Sequence, residues 1–416
     1  MEKKKFWSYE NKLVMIFFFS IGFVFFDRLA INYLIPFIQE DFSLTNTQIG
    51  LVSAALAITW SISGPIGGIL SDKAKSKKAV LAIFVLLFSV VSLLHGLVGS
   101  FVMLFVLRLI MGLVEGPIVP ITQSILTVES SENRRGFNSG FTMNTGNAVF
   151  GSFLAPLVIV ALANAFDWHT AFYLTIVPGV ILAFVIFKYV KNPDQAKITQ
   201  VSSLAPKEKI NFKQMLKHRN VWLSIVIFSA FMTYIMAFNI YGPLFLVNVK
   251  GVSASTMSIV MASFGAGFAL FGVIVPAISD RIGRKPISLA FGFLSIFTPL
   301  VLIYVDSLAL TLILVFAFSS GTGVAALVMS AIPTESVPFQ YAGAAIGLTI
   351  GIGEFFGGFL NPIISGIAAD TFGLTAPLFI SSGAATVAFL CSFLLIESSP
   401  SKVAVEQTES SSLVKV

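Results

Sequence analysis

Charged residues are unusually few in this chain of 416 residues. Asp, Glu, Lys and Arg together make up 11% of it, whereas a soluble domain typically contains about 25%. Hydrophobic residues account for 56%, and the mean hydropathy is +0.91. This composition excludes an ordinary soluble domain and indicates a protein that crosses a membrane many times.

Residues that form disulfides or bind metals are also scarce. The one cysteine, Cys391, excludes a disulfide within the chain. The three histidines, His95, His169 and His218, are not spaced as metal ligands. No nucleophile–base pair and no phosphate-binding loop stands out in the sequence. We therefore predict no metal site, no organic cofactor and no enzymatic activity.

Apolar windows of about 20 residues predict an all-α integral membrane protein with twelve spanning helices. The predicted spans lie near residues 13–38, 46–71, 79–98, 101–127, 136–163, 170–190, 220–248, 255–279, 286–305, 309–333, 340–369 and 374–397. Because their number is even, both termini are expected on the same side of the membrane.

The positions of the basic residues predict which side that is. Of the 26 Lys and Arg residues, Arg28 and Arg108 lie within predicted spans, and Lys250 lies in a loop on the opposite side. The others lie in the tails, in alternate connections between spans, or at span ends beside them. By the positive-inside rule these segments and both termini are cytoplasmic. The net charge is +6. The basic residues responsible for it are therefore expected to contact lipid headgroups and not nucleic acid.

The spans fall into two groups of six that are separated by a polar stretch. We predict an N-terminal six-helix bundle over 1–190, a cytoplasmic linker over 191–219 and a C-terminal six-helix bundle over 220–397. Residues 398–416 are polar and are predicted to form a disordered cytoplasmic tail. Within the linker, NFKQMLKH is a candidate for a short surface helix.

The two halves repeat each other at an offset of about 207 residues, since Asn32 and Pro36 match Asn239 and Pro243. A series of glycines matches as well: Gly136, Gly140, Gly146 and Gly151 pair with Gly343, Gly347, Gly353 and Gly358. Glycines at such spacing let helix backbones approach closely, so shared packing needs are one explanation. A register kept across loops favours duplication instead. A six-plus-six repeat is typical of an alternating-access transporter with its site between the halves.

One loop in each half carries a specific motif. GGILSDKAKSKK (67–78) and PAISDRIGRKP (276–286) both resemble the G-x-x-x-D-[RK]-x-G-[RK]-[RK] signature of the major facilitator superfamily. Acid and base residues at these positions can bridge helices and latch the cytoplasmic side. The predicted gate residues are Asp72, Lys73, Asp280, Arg281, Arg284 and Lys285. Lys75 stands where the turn glycine belongs, so the geometry of the first copy stays open, and ordinary basic loops are the alternative.

Five ionisable residues lie well inside predicted spans: Asp27, Arg28, Arg108, Glu115 and Glu354. Intramembrane charge is rare and usually faces a bundle interior or a water-filled cavity. The two arginines are expected at a similar depth, with Glu115 two helical turns from Arg108 on the same face. Two guanidiniums at one level predict an anion site, and the carboxyl groups are candidates for proton coupling. The alternatives are that Asp27 pairs with an arginine only to join helices 1 and 4, and that Glu354 is a packing acid.

Uncharged polar residues complete the predicted substrate-binding site. They are Asn144, Asn147, Tyr234, Asn239, Tyr241 and Asn361. Each is equally compatible with a hydrogen bond between helices.

The sequence as a whole resembles one branch of the major facilitator superfamily, the anion:cation symporters, which include sugar-acid and sialic acid carriers. The segments that carry the resemblance are FFDRLAINYLIPFIQEDFSLTNTQIGLVSAA (25–55), RLIMGLVEGPIVP (108–120), NRRGFNSGFTMNTGNAVFGSFLAPLV (133–158) and DWHTAFYLTIVPG (167–179). The resemblance implies that Arg28 and Arg108 contact a substrate carboxylate and that Asp27 and Glu115 take up protons. The chain departs from the branch at His169, where an arginine is frequent, and at Lys75.

The sequence thus predicts a monomeric, multi-pass protein of a bacterial plasma membrane that imports a small organic anion together with protons by rocker-switch alternating access. The proton is the expected coupling ion. A drug:proton antiporter, an anion exchanger and a transporter-derived nutrient sensor are the alternatives. The antiporter alternative lacks the expected G-P-x-x-G-G-like run on helix 5, which reads GNAVFGSFLAP.

Overall fold

The computed structural model describes residues 8–194, 215–338, 341–400 and 402. Within these ranges every regular element is a helix. Most of the predicted linker, including the first half of the candidate helix NFKQMLKH, lies outside the described residues.

Twelve of the described helices are long and apolar enough to cross a membrane. We number them in chain order: α1 Tyr9–Phe42, α2 Asn46–Lys73, α3 Lys77–His95, α4 Phe101–Glu129, α5 Glu132–Ala165, α6 Trp168–Tyr189, α7 Arg219–Val249, α8 Ala254–Ile282, α9 Arg284–Tyr304, α10 Leu308–Glu335, α11 Ala342–Phe372 and α12 Thr375–Ser392. They confirm the twelve predicted spans and the all-α fold class. The cytoplasmic side of the termini stays a prediction.

Short polar side chains begin several of these helices. Thr45 and Gln48 form a reciprocal capping box at the start of α2. Ser76 and Ser100 accept backbone N–H bonds at the starts of α3 and α4. Asp167 accepts the Thr170 N–H at 2.7 Å before α6, and this bond holds the pKa of the carboxyl below its ordinary value. Such caps allow the tight connections between consecutive spans.

The chain divides into two compact units. Unit one comprises Met1–Ala205 and Lys250–Gly265, and unit two comprises Pro206–Val249 and Ala266–Val416. In unit one α3 packs on α6, α2 on α4, and α1 on α5. In unit two α7 packs on α11 and α12, and α9 packs on α12. Unit one therefore also includes the beginning of α8, and the predicted limits of the two bundles stay predictions.

The helices that correspond under the repeat share an irregularity. A π-helical segment, Asn147–Leu154, interrupts α5, and another, Glu354–Leu360, interrupts α11. Their first residues are the pair that the offset of 207 aligns. Single π-helical turns are rare and often occur at functional sites.

The matched glycines do not share one role. A Cβ at Gly146 or Gly151 would lie 3.2 or 3.0 Å from a backbone oxygen of α1, so α1 and α5 approach closely there. The prediction of close approach does not hold for four other matched glycines. A Cβ added to any of them would meet no atom within 4 Å in the described part of the chain: Gly136, Gly140, Gly343 and Gly347. Close helix packing therefore explains only some of the repeated glycines.

The tail begins later than predicted because its first residues are packed. Ser398 and Ser399 are only 9% and 0% exposed. The Ser398 hydroxyl donates to Glu335 Oε2 at 2.9 Å, and the Ser399 hydroxyl donates to the Asp280 carbonyl at 3.2 Å. The prediction of disorder is therefore wrong at residues 398 and 399. Residues 401 and 403–416 lie outside the described residues.

Candidate functional site

Unit one buries four of the five predicted intramembrane charges. Asp27 and Arg28 on α1 are 2% and 7% exposed, and Arg108 and Glu115 on α4 are 2% and 0% exposed. The apolar window of α1 is largely buried as well, so Asp27 and Arg28 lie in the interior of the protein. If all four are ionised, two guanidiniums and two carboxylates have no net charge.

Arg108 joins α4 to α1 through the backbone. Its Nη2 donates to the Arg28 carbonyl oxygen at 3.1 Å. Its Nε and Nη1 are buried and have no hydrogen-bond partner among the described residues. Arg108 therefore holds the two helices together while it keeps donors for a further acceptor.

The Arg28 guanidinium lies against aromatic rings. Its central carbon is 5.1 Å from the centre of the Trp60 ring and 5.9 Å from that of Phe25. These distances fit a cation–π interaction, which is stronger when water is excluded. The rings of α1 and α2 therefore orient this guanidinium.

Asp27 is bound to α3 and not to an arginine. Its Oδ1 accepts a short hydrogen bond from the Ser92 hydroxyl, which lies 2.6 Å from the Thr175 hydroxyl of α6. Its Oδ2 is buried without a hydrogen-bond partner among the described residues. The alternative in which an Asp27–arginine pair joins helices 1 and 4 is therefore not what the structure contains.

Glu115 lies on the buried face of α4 that also carries Arg108, as the seven-residue spacing predicts. Met111 and Gly112 are buried on the same face. Both carboxyl oxygens of Glu115 are buried and have no hydrogen-bond partner in the described part of the chain. This carboxyl group is thus available to exchange a proton or to contact a ligand.

The predicted amides of α5 are less buried than these charges. Asn144 and Asn147 are half-buried, and Asn147 begins the π-helical segment of α5. The Asn147 side-chain oxygen has no hydrogen-bond partner within the described ranges. In unit two, the aligned Glu354 is also half-buried and begins the π-helical segment of α11.

The polar residues predicted on α7 and α11 make contacts within unit two. The Tyr234 hydroxyl donates to Thr298 Oγ1 at 3.0 Å, and the Tyr241 hydroxyl donates to the Pro362 carbonyl at 2.7 Å. The side-chain nitrogens of Asn239 and Asn361 donate to backbone carbonyls of α7 at 2.9 and 3.3 Å. The helix–helix alternative thus accounts for Tyr234, Tyr241 and Asn361, and Asn239 binds within its own helix.

Arg284 organises the second copy of the loop motif. Its Nη2 lies 2.6 Å from both Asp280 Oδ1 and Glu335 Oε1, and its Nε donates to Glu335 Oε2 at 3.1 Å. The carboxylate of Glu397 accepts the backbone N–H groups of Arg284 and Lys285 at 2.8 and 3.1 Å. The loop therefore ties α8, the start of α9 and the end of α10 to the residues that follow α12.

Lys77 takes the place of this arginine in the first copy. Its Nζ lies 2.6 Å from Asp72 Oδ1 and donates to Ser124 Oγ of α4 at 2.9 Å. Asp72 and Lys77 are five positions apart, whereas the second copy has a spacing of four. The two copies of the motif have the same length, and Lys77 stands one motif position after that of Arg284. No residue between Asp72 and Lys77 has a positive φ. The first copy therefore forms its acid–base pair even though Lys75 replaces the turn glycine of the motif.

The side chains of the remaining predicted gate residues form no ion pair in either network within the described residues. Lys73 and Arg281 are exposed, and neither forms an ion pair within the described residues. The contribution of Lys285 is its backbone N–H. A gating role for all six residues stays a prediction.

Comparison with known proteins identifies the family. Residues 17–360 and 251–415 match the Major Facilitator Superfamily. The chain belongs to this superfamily. It is therefore a membrane transporter and not an enzyme, and a multi-pass protein of the bacterial plasma membrane.

The relatives of this facilitator include two proteins named as transporters and one named as a resistance protein. It is 30% identical to the hexuronate transporter of Bacillus subtilis over an alignment that spans 59% of each chain, less than two thirds of that relative. It is 26% identical to the probable galactarate/D-glucarate transporter of the same organism over 95% of this chain and 94% of that one. It is 23% identical to the quinolone resistance protein NorA of Staphylococcus aureus over 90% and 94% of the two chains.

The fold of this facilitator matches solved structures. A crystal structure of a bacterial homolog of the human lysosomal transporter Spinster superposes with a TM-score of 0.76 over 93% of this chain and 96% of that one, at 17% identity. At this identity the likeness concerns the fold alone. It confirms the twelve-helix facilitator fold that the sequence predicts.

Sequence reasoning missed several residues of this facilitator that complete its polar networks. They are Trp60, Ser92, Thr175, Lys77, Ser124, Glu335 and Glu397. A signal existed for Lys77, which lies within the first copy of the motif (67–78), and for Glu335, an acid at the very end of span α10. Serine and threonine inside apolar helices carry no such signal, because they are common there for packing.

Proposed function

We propose that this transporter imports a small organic anion, such as a sugar acid or another carboxylate, together with protons. The proposed mechanism is rocker-switch alternating access. Arg28 and Arg108 bind the anion, and Asp27 and Glu115 carry protons. The proposal for the substrate concerns the chemical class only.

The observation that carries this proposal is the state of Arg108. A buried polar group without a partner is rare and calls for an explanation. Arg108 has two such nitrogens, and a guanidinium donates strong, charge-assisted hydrogen bonds to carboxylate or phosphate. A bound anion would accept these bonds at the place where Arg28 adds a second positive charge.

The carboxyl groups near the arginines support proton coupling. Asp27 Oδ2 and both Glu115 oxygens have no hydrogen-bond partner among the described residues. Titratable residues inside spans commonly serve as proton relays in transporters. In the proposed cycle, protonated acids leave the arginines to the anion, and proton release restores an attraction that competes with the anion.

The relatives favour sugar acids within the class of organic anions. Two of them are named for hexuronate and for galactarate or D-glucarate. These substrates carry one or two carboxylates and several hydroxyl groups. Half-buried amides such as Asn144 and Asn147 suit the hydroxyl groups of such molecules.

The test is uptake into proteoliposomes of purified protein with a panel of labelled hexuronates and glucarate. We expect accumulation when the outside is at pH 6 and the lumen at pH 8, and loss of accumulation when a protonophore collapses the gradient. Glu115→Gln, which cannot release a proton, should keep exchange of internal for external substrate but lose gradient-driven accumulation. Accumulation that is equal with and without the gradient would refute proton coupling.

Export is a second candidate, favoured by the similarity to the quinolone resistance protein. An exporter of this kind would expel a fluoroquinolone in exchange for protons that enter down an inward gradient, and it would not transport sugar acids. The same vesicles, preloaded with norfloxacin, distinguish the two functions. Binding of an anion without any flux would instead favour a sensor.

A further inference from the structure

A second basic site lies in unit one, away from the buried charges. A cavity of about 650 Å³ lies between the start of α1, the start of α3 and the end of α6. Its lysines are Lys12, Lys78, Lys188 and Lys191, and none of the described residues that line it is acidic. Lys12 precedes Arg28 by sixteen positions on α1, or about 24 Å along the helix axis. The cavity is therefore separate from the proposed transport site.

Aromatic rings hold these lysines in place without neutralising them. The Nζ of Lys191 lies 5.2 Å from the centre of the Tyr9 ring, and that of Lys188 lies 5.3 Å from the Tyr189 ring. Lys78 Nζ donates to a backbone carbonyl at 3.2 Å. None of the lining lysines forms an ion pair with a carboxylate among the described residues. The cavity thus retains its positive charge.

Hydrogen bonds between the helix ends give this cavity a fixed frame. The Tyr9 hydroxyl accepts the Lys191 N–H at 2.9 Å, which ties the start of α1 to the end of α6. Asn192 Oδ1 accepts the Lys78 N–H at 3.2 Å and the Ser76 hydroxyl at 3.0 Å, which ties α3 to the same segment. The lysines therefore converge from three anchored helix ends and not from loose tails.

The side of the cavity nearer the middle of the helices is apolar. Met15, Ile16 and Val185 line it there, about one turn from the lysines. The adjoining outer face of α6 is also apolar, since Phe184 and Phe187 are 61% and 59% exposed. Exposed aromatic side chains of this kind on a spanning helix contact lipid. The cavity consequently combines a cationic end with an apolar wall that continues into the membrane.

We propose that this cavity binds an anionic phospholipid such as phosphatidylglycerol. The phosphodiester lies among the four lysines, and the first part of an acyl chain lies along Met15, Ile16 and Val185. Basic pockets between spanning helices bind anionic headgroups by this combination of charge and apolar contact. A free phosphate shares the charge but has no chain for the apolar wall. The predicted topology places the cavity in the cytoplasmic leaflet.

Native mass spectrometry of the delipidated protein, with added lipid, tests this proposal. The wild type should retain one dioleoylphosphatidylglycerol at lipid concentrations where dioleoylphosphatidylcholine is not retained. A lysine near an anionic headgroup contributes about fivefold in affinity, so Lys188→Gln with Lys191→Gln should weaken retention about 25-fold. Lys75→Gln with Lys217→Gln removes the same charge from exposed positions outside the cavity and should retain the lipid.

Further variants separate folding and ligand source from binding. Lys188→Arg with Lys191→Arg preserves the charge and should keep the lipid, and all variants must elute as the wild type does from size-exclusion chromatography. Equal retention of the two lipids, or equal losses in the cavity and control variants, would overturn the proposal. Competition by glycerol phosphate at the same concentration as the lipid would also overturn it, because the site would then bind a soluble anion.

Discussion

Arg108 is a buried cation with donor nitrogens that no acceptor among the described residues satisfies. Leaving a buried donor without an acceptor costs about 1–3 kcal/mol, and more when the donor is charged. Arg108 has two such nitrogens, although its Nη2 is satisfied by the Arg28 carbonyl. An anion that accepts hydrogen bonds from them recovers this cost. If the site binds an anion as proposed, recognition should therefore depend on the shape of the guanidinium and not on positive charge alone.

We accordingly expect Arg108→Lys to impair transport even though it preserves the charge. The lysine cannot replace both the bond to α1 and the bonds to the anion, and a charge-assisted hydrogen bond is worth about 1.5–3 kcal/mol. The KM for uptake of the best sugar acid should therefore rise at least about tenfold. Initial rates in proteoliposomes measure this change.

Arg219→Lys is the matched control for this variant, because Arg219 is exposed at the start of α7. It should leave the KM unchanged. A normal KM in Arg108→Lys, with protein reconstituted at wild-type levels, would exclude Arg108 from the binding site.

At the residue scale, the sequence was most informative where a charged residue interrupts an apolar run. Asp27, Arg28, Arg108 and Glu115 were predictable because a charge inside an apolar run must face an interior. The partners of these charges were not predictable. Ser92 reaches Asp27 from α3, and such a contact depends on helix rotations that composition does not specify.

At the scale of elements, the two motif loops achieve the same closure by different local geometries. The second loop uses Gly283, whose φ of 123° lies in a region that favours glycine. The first loop has one more residue between its acid and its base and contains no such turn. Each loop nevertheless places a cation of the third helix of its half beside the acid that ends the second helix.

We expect Gly283→Ala to destabilise unit two. A Cβ at this position would lie 2.6 Å from Glu397 Oε2, and a residue with a side chain in this backbone region costs about 1–3 kcal/mol. The apparent melting temperature in detergent should fall by at least about 2 °C. Differential scanning fluorimetry measures it.

Gly343→Ala provides the comparison in the same unit. Gly343 lies in α11 with open space within 4 Å in the described ranges, so an alanine there should be neutral or stabilising. An unchanged melting temperature in Gly283→Ala would show that the loop tolerates a side chain and that its turn does not require glycine.

The elements themselves were largely predictable, and their irregularities were not. Helix positions follow from apolar length, because a bilayer requires about 20 apolar residues per span. The π-helical segments at Asn147 and Glu354 change the hydrogen-bond register without changing composition. The same limitation explains why the start of the tail was not predicted to be packed. Ser398 and Ser399 are polar, and yet they are buried and hydrogen-bonded to Glu335 and Asp280.

At the scale of the whole molecule, the orientation in the membrane determines which loops and which leaflet each site faces. The distribution of Lys and Arg predicts that both termini are cytoplasmic. The connection between α9 and α10 should then be external. The single cysteine makes this prediction testable by site-specific labelling.

In a Cys391→Ser background we expect opposite labelling of two exposed positions, Ser307 and Lys402. Ser307→Cys, between α9 and α10, should react with a membrane-impermeant maleimide in intact cells. Lys402→Cys, after α12, should react only once the membrane is permeabilised. Labelling of Lys402→Cys in intact cells would reverse the topology and move the basic cavity to the outer leaflet. Background labelling of the Cys391→Ser protein is the control.

The packing of Glu397 beneath the start of α9 limits where this protein can be shortened or tagged. Glu397 accepts two backbone N–H groups of the loop that holds Arg284, and Ser399 reaches the end of α8. Removing the chain after Leu395 would leave these groups exposed and loosen the Arg284–Glu335 pair. Affinity handles and fluorescent fusions therefore belong beyond Lys402, where they leave this anchor intact.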